Sequence, residues 1–146
     1  MWEGQRAMLA DGMGMREKKK KNELLTEVEL EFMNELWALG EGTVRDVLDQ
    51  LPDERDLAYT SAATILRILE QKNFVTSRKE GKSHVYIPSL AKDAYQTRSL
   101  KNLSMKLFDD TPASLVARLV NDDELTEEAL GQIRALVDRR LKNDTG

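Results

Sequence analysis

Apolar residues recur along the first half of the chain at two periods, and the change of period divides it into elements. Val28, Phe32, Leu36 and Leu39 stand four, four and three apart, with Met33 and Trp37 widening the stripe. That spacing predicts an amphipathic helix. Thr26 and Glu29 form a capping box at its start, and Gly40 and Gly42 end it. A second box, Thr43 with Asp46, opens a short helix whose buried side is Val44, Val47, Leu48 and Leu51, stopped before Pro52. Asp53 to Leu57 is a charged connection. From Tyr59 a third helix sets Ala62, Ile65, Leu66 and Leu69 against a polar face of Thr60, Ser61, Thr64 and Arg67. Asn73 suits a left-handed stop, after which Phe74 and Val75 begin an extended run. The period then shortens to two, with Val85 and Ile87 facing one way, His84 and Tyr86 the other, and Glu80-Gly81 as the reversal of a hairpin.

The second half returns to helical spacing with narrower stripes. A long helix is predicted from Ser89 to Phe108, burying Leu90, Ala94, Leu100, Leu103 and Leu107; the last three make a three-four seam suited to helix pairing. Thr111 caps a helix with Pro112 at its first position and Leu115, Val116, Leu119 and Val120 as its apolar face. Thr126 caps another, with Glu127 and Glu128 in the first turn, a Leu125–Leu130 staple, and Ile133, Leu136, Val137 and Leu141 along the stripe. These three helices have no core of their own, which a two-fold dimer would supply through Leu100, Leu103, Leu107, Leu115, Leu119, Leu130, Ile133 and Val137. Residues 1–22 show no period and end in a lysine run, which reads as a flexible basic tail, either a solvated leader or an arm touching phosphate. The expected organisation is therefore residues 1–22 as tail, 23–88 as a first domain and 89–142 as a helical dimerisation region.

Composition narrows the class. Hydrophobic content of 40% with 33% charged and 5% aromatic residues describes a soluble, helix-rich chain of 146 residues. No apolar run reaches the ~18 residues that a membrane span needs, and no continuous apolar segment follows the first charges, so neither a membrane nor a secretory signal is expected. The absence of cysteine excludes disulfides, thiolate metal sites and cysteine nucleophiles, and the cytoplasm is the expected compartment. The net charge of -4 conceals a strong segregation. Ten acidic residues face one basic residue between Glu23 and Glu54, whereas seven basic residues face three acidic ones between Arg55 and Lys92. An acidic chain of this kind still presents one basic face.

Catalysis finds little to work with. His84 is the only histidine, and no glycine-rich phosphate loop follows a strand. The carboxylates Asp109-Asp110 and Asp122-Asp123-Glu124 read as solvated helix-end acids. No catalytic residue, metal or cofactor is expected. Three helices followed directly by a hairpin form the pattern of a winged helix-turn-helix, so the predicted fold is mostly α with a small β-hairpin, followed by a C-terminal helical arm. The three helices bury a core between them and free the polar face of the third for the major groove. Capping accounts for one of Thr60 and Ser61 but not for Thr64 and Arg67, which continue that face. Candidate DNA-binding residues are Thr60, Ser61, Thr64 and Arg67 on the helix, with Arg78, Lys79, Lys82 and His84 on the wing. A winged-helix adaptor that turns the same surface to a protein partner is the alternative.

The motifs Leu25-Thr26-Glu27-Val28-Glu29, Met33, Leu36-Trp37, Val44-Arg45-Asp46-Val47, Tyr59-Thr60-Ser61, Leu69-Glu70-Gln71-Lys72 and Val85-Tyr86 stand in the order seen in one known group. Over about residues 24 to 141 the chain resembles the penicillinase-repressor, or BlaI/MecI/CopY, family of bacterial transcriptional regulators. The resemblance implies a homodimeric repressor that grips a palindromic operator through two winged helices, with intertwined C-terminal helices and an inducer or sensor as a further partner. It departs from the family where Asn73 replaces the usual glycine, Ile68 a frequent basic residue, and Arg118-Leu119 the Asn-Phe bond at which protease-induced members are cut; the C-terminal cysteine pairs of copper-responsive members are missing and the lysine-rich leader is outside the pattern. Neither that cleavage nor the cysteine-based copper response is expected here.

Overall fold

The computed structural model describes residues 24–145. Residues 1–22, read above as a basic tail, lie outside the described residues. Helix α1 spans Glu27–Leu39, α2 Val44–Gln50 and α3 Tyr59–Gln71. Strands β1 (Val75–Glu80) and β2 (Ser83–Pro88) follow, then α4 (Lys92–Leu107), α5 (Pro112–Val120) and α6 (Glu127–Thr145). The contacts divide the chain between Ser99 and Leu100 into two compact units.

The first unit is a winged helix-turn-helix, and both predicted capping boxes are formed. Thr26 Oγ1 accepts from the Glu29 amide at 3.2 Å while the Glu29 carboxylate accepts from the Thr26 amide at 2.9 Å. Thr43 and Asp46 repeat the arrangement at 3.1 and 2.9 Å. Satisfying these first-turn amides fixes where each helix begins and hence which residues turn inward. Phe32, Met33 and Leu36 of α1, Val47 of α2, Ala62, Leu66 and Leu69 of α3, and Phe74 and Val75 at the start of the wing form the sealed core. The charged connection after α2 contains one 3-10 turn, Asp53–Arg55.

The wing leaves α3 through Asn73, which adopts φ +68 as the left-handed stop requires. β1 and β2 pair antiparallel with Ser77 opposite Tyr86, Arg78 opposite Val85 and Lys79 opposite His84. Gly42, between α1 and α2, adds a third rung: its amide donates to the Tyr86 carbonyl at 3.0 Å and its carbonyl accepts from the Tyr86 amide at 2.8 Å. Tyr86 enters the core, whereas Val85 is buried on the opposite face of the hairpin and outside that cluster.

The long helix begins three residues later than its apolar pattern predicts, at Lys92 instead of Ser89. Ser89 is held in the sheet register, its amide donating to the Phe74 carbonyl at 2.9 Å and its hydroxyl to the Asn73 carbonyl at 2.8 Å. Within a single chain the buried set differs from the apolar pattern. Ala94, Leu100, Leu103 and Leu107 are exposed and Leu90 is only partly covered, while Tyr95 is buried in the first unit's core. Its ring lies 5.9 Å from both Trp37 and Phe74, and its hydroxyl accepts from the Leu25 amide at 2.8 Å. Trp37 Nε1 donates to the Leu90 carbonyl at 2.9 Å, so the linker into α4 is fastened on both sides.

In the second unit α4 ends in a reversal through Asp109 and Asp110, both left-handed at φ +50 and +56. Thr111 stands at the cap position of α5, but its side chain makes no capping bond. Thr126 does cap α6, accepting from the Ala129 amide at 3.0 Å. The apolar stripes of α4, α5 and α6 remain largely uncovered: Leu100 is 55% exposed, Leu107 71% and Leu119 50%. No described helix is long and apolar enough to cross a membrane.

Candidate nucleic-acid interface

The polar face of α3 is built by helical spacing and by the core beneath it. With Ala62, Leu66 and Leu69 locked inward, Thr60, Ser61, Thr64 and Arg67 point outward and all four are exposed. The capping expected of Thr60 or Ser61 is not present. The N-cap is Ala58, which has no side-chain bond to offer, and Thr60 and Ser61 are the second and third residues of the helix proper. Their hydroxyls make no hydrogen bond among the described residues. Thr64 Oγ1 donates to the Thr60 carbonyl one turn back at 3.0 Å and accepts from Arg67 Nη2 at 3.3 Å. The guanidinium is thereby laid along the helix surface with its remaining donors turned to solvent.

The wing stands beside this face because β1 is tied to the last turn of α3. Ser77 Oγ donates to the Glu70 carboxylate at 2.7 Å. Lys79 and His84 face each other across the ladder near the turn, where Gly81 takes φ +63 and Lys82 follows it. Lys79, Lys82 and His84 are exposed and form no ion pair among the described residues.

Arg78 is disposed differently. Its Nη1 and Nη2 donate to the two Glu41 carboxylate oxygens at 3.0 and 2.6 Å, and its Nε and Nη2 donate to Glu80 at 3.2 and 3.1 Å. The Glu41 and Glu80 bonds hold the guanidinium charged and push its pKa up, while the bond from Arg78 pulls the Glu41 carboxyl below its ordinary value.

Folding also redistributes the charge that the chain segregates. Three of the seven bases between Arg55 and Lys92 are matched with carboxylates from the acidic stretch: Arg55 with Glu31 at 2.7 Å, Lys72 with Glu29 at 2.8 Å, and Arg78 with Glu41 at 2.6 Å. Arg67, Lys79 and Lys82, which make no ion pair among the described residues, all belong to α3 and the wing. The basic face is smaller than the sequence suggests; Lys92, the seventh base, stands apart at the start of α4.

Two contributors escaped the sequence reading. Glu41 looks like one more acid of an acidic helix end, and only its place beside the Gly42 rung brings it to Arg78. Arg45, the lone base of the acidic stretch, lies 5.4 Å above the ring of Tyr59, and both side chains are exposed at the start of α3. Arg45 stands two residues after the Thr43 cap, which places it on the outer side of α2 and was the available signal.

Comparisons with known proteins bear on the family of the chain. The penicillinase repressor family model matches residues 25–139. The chain is 20% identical over 116 residues to the methicillin resistance regulatory protein MecI of Staphylococcus aureus strain Mu50, covering 80% of this chain and 94% of that protein. It is 39% identical over 70 residues to the transcriptional regulator BlaI of Mycobacterium tuberculosis strain H37Rv, covering 47% of this chain and 51% of that protein. A solution structure of the DNA-binding domain of the repressor BlaI is 25% identical, covering 49% of this chain and 87% of that one at a TM-score of 0.44. With a winged helix-turn-helix in place and the match extending into the last of the three C-terminal helices, the chain belongs to the penicillinase repressor family of DNA-binding transcriptional repressors.

Proposed function

We propose that the protein acts as a homodimer on a palindromic operator, each copy laying α3 in the major groove and its wing along the adjacent phosphates. The observation that carries this reading is the uncapped, outward-facing row of Thr60, Ser61, Thr64 and Arg67, with Lys79 and Lys82 on the wing that follows it. Arg67 keeps donors for a guanine edge, Thr60 and Ser61 keep whole hydroxyls, and Lys79, Lys82 and His84 meet phosphate. The uncovered stripes of α4, α5 and α6 support residues 89–142 as the dimerisation region, with Leu100, Leu103, Leu107, Leu115, Leu119, Leu130, Ile133 and Val137 as its contacts. Two such copies read half-sites ~34–36 Å apart, or a multiple of that. An inducer or sensor that releases the operator is the remaining partner.

Selection of bound genomic fragments, followed by salt titration on the tightest duplex, tests the reading. Arg67→Ala costs ~1–3 kcal/mol and relaxes base preference at one position in each half-site, whereas Lys79→Gln weakens all duplexes alike and lowers the salt slope by about 1. Binding that is absent or insensitive to salt assigns the surface to a protein partner instead.

A further inference from the structure

Arg78 is one of the wing bases that the sequence offers as a phosphate ligand, and its contacts lie elsewhere. β1 and the Gly42 rung lie on opposite edges of β2. To reach Glu41, the Arg78 side chain must cross β2, on the face it shares with its cross-strand partner Val85. The fork is closed bidentately by Glu41 and closed again from the side by Glu80. A guanidinium engaged by two carboxylates, with its stem laid across a strand, has little left for a third anion.

We propose that Arg78 and Glu41 form a strap that fixes the attitude of the wing toward α3, so that Arg78 is a positioning residue and Lys79 and Lys82 make the phosphate contacts. The strap acts beside the two backbone bonds between Gly42 and Tyr86, adding a side-chain closure to a rung only one residue long. Glu41 is thus a determinant of DNA affinity although it carries the same charge as the ligand. The inference rests on the reading of α3 and the wing as the DNA-contacting face.

The two roles for Arg78 predict opposite signs for Glu41. If the strap positions the wing, Glu41→Ala and Arg78→Gln each weaken binding to the tightest selected duplex by about two- to fivefold. The Glu41→Ala/Arg78→Gln double variant is then no weaker than the worse single variant, Glu41→Arg with Arg78→Glu recovers affinity, and the salt slope does not change. In the DNA-free full chain, Glu41→Ala also speeds amide exchange across residues 75–88. If Arg78 is instead a phosphate contact that Glu41 restrains, Glu41→Ala binds as well as or more tightly than the parent, and Arg78→Gln lowers the salt slope by about 1. Either of those results, or unchanged exchange in the wing, overturns the strap. Failure of the surface reading itself is separate: Lys79→Gln and Lys82→Gln would both leave the slope untouched, and the exchange measurement would still decide the strap.

Discussion

Residues 24–99 and residues 100–145 both carry apolar stripes at helical spacing and use them in opposite ways. Every buried apolar residue among those described falls at or before Tyr95, while Leu100, Leu103, Leu107, Leu119, Leu136, Val137 and Leu141 are exposed. The difference is one of closure. In the first unit three helices and a hairpin arrive from different directions and seal a common core, so each stripe finds a partner within the chain. In the second, three narrow stripes remain open, and water contact on this scale disfavours the chain unless something covers it. A periodic stripe therefore specifies a helix in both regions but specifies burial only where the topology closes around it.

The sharpest break between the two comes from deleting core volume. Phe32 is fully buried, and Phe32→Ala is expected to cost ~3–5 kcal/mol in urea denaturation, with a value independent of protein concentration. Leu136 is a large apolar residue of the second unit, 58% exposed. Leu136→Ala is expected to lower stability only while chains are associated, so that its effect shrinks on dilution. Equal, concentration-independent losses for both variants would remove the distinction.

Next in size is the seam itself. Leu103→Glu combined with Leu107→Glu places carboxylates where pairing needs apolar surface, and light scattering at micromolar concentration is expected to show half the parent's mass. The near-ultraviolet signals of Trp37 and Tyr95, both packed within the first unit, should not move. A parent that is already monomeric would show that the open stripes are covered in some other way.

Legibility followed the same division. The capping boxes and the left-handed stop at Asn73 were readable because local hydrogen bonding decides them, and the outward face of α3 because helical spacing does. What was not readable depends on partners far along the chain. Tyr95 replaces the leucines as the buried apolar residue of α4 because Trp37 and Phe74 meet it, 58 and 21 residues earlier. The cap of α3 fell on Ala58, which has no side-chain bond to offer, so no capping residue marks that start in the sequence. Arg78 counted as a free base until the fold brought Glu41 across β2.

Glu29 tests how much of the first unit's closure is electrostatic. Its carboxylate is almost fully covered and accepts from Lys72 at 2.9 and 2.8 Å as well as from the Thr26 amide. Burial alone would raise its pKa, but the hydrogen bonds from Lys72 and Thr26 and the ammonium charge outweigh it, and the net shift is downward. A folded value below the unfolded one means that the stabilisation is complete above the unfolded value of about 4.3 and is lost as pH falls through the folded one. Glu29→Gln is therefore expected to be less stable than the parent by about 1–3 kcal/mol at pH 7, with the gap narrowing below about pH 4. A gap that stays constant with pH would reduce Glu29 to a neutral cap.

The smallest effect isolates the stop between α3 and the wing. At Asn73 the bonds that close the turn use only the backbone of Asn73 itself: its amide donates to the Glu70 carbonyl, its carbonyl accepts from the Ser89 hydroxyl, and the neighbouring Phe74 amide donates to the Leu69 carbonyl. The asparagine side chain makes no hydrogen bond among the described residues, so substitution changes only the cost of holding φ at +68. Asn73→Gly is expected to raise stability by about 0.5 kcal/mol, because relief of the left-handed strain slightly exceeds the added freedom of the unfolded chain. Asn73→Ala keeps the strain without asparagine's tolerance for that region and is expected to lose about 0.5–1 kcal/mol. Opposite signs for two small substitutions at one exposed site identify a backbone effect, since lost packing or a lost side-chain bond would lower stability in both.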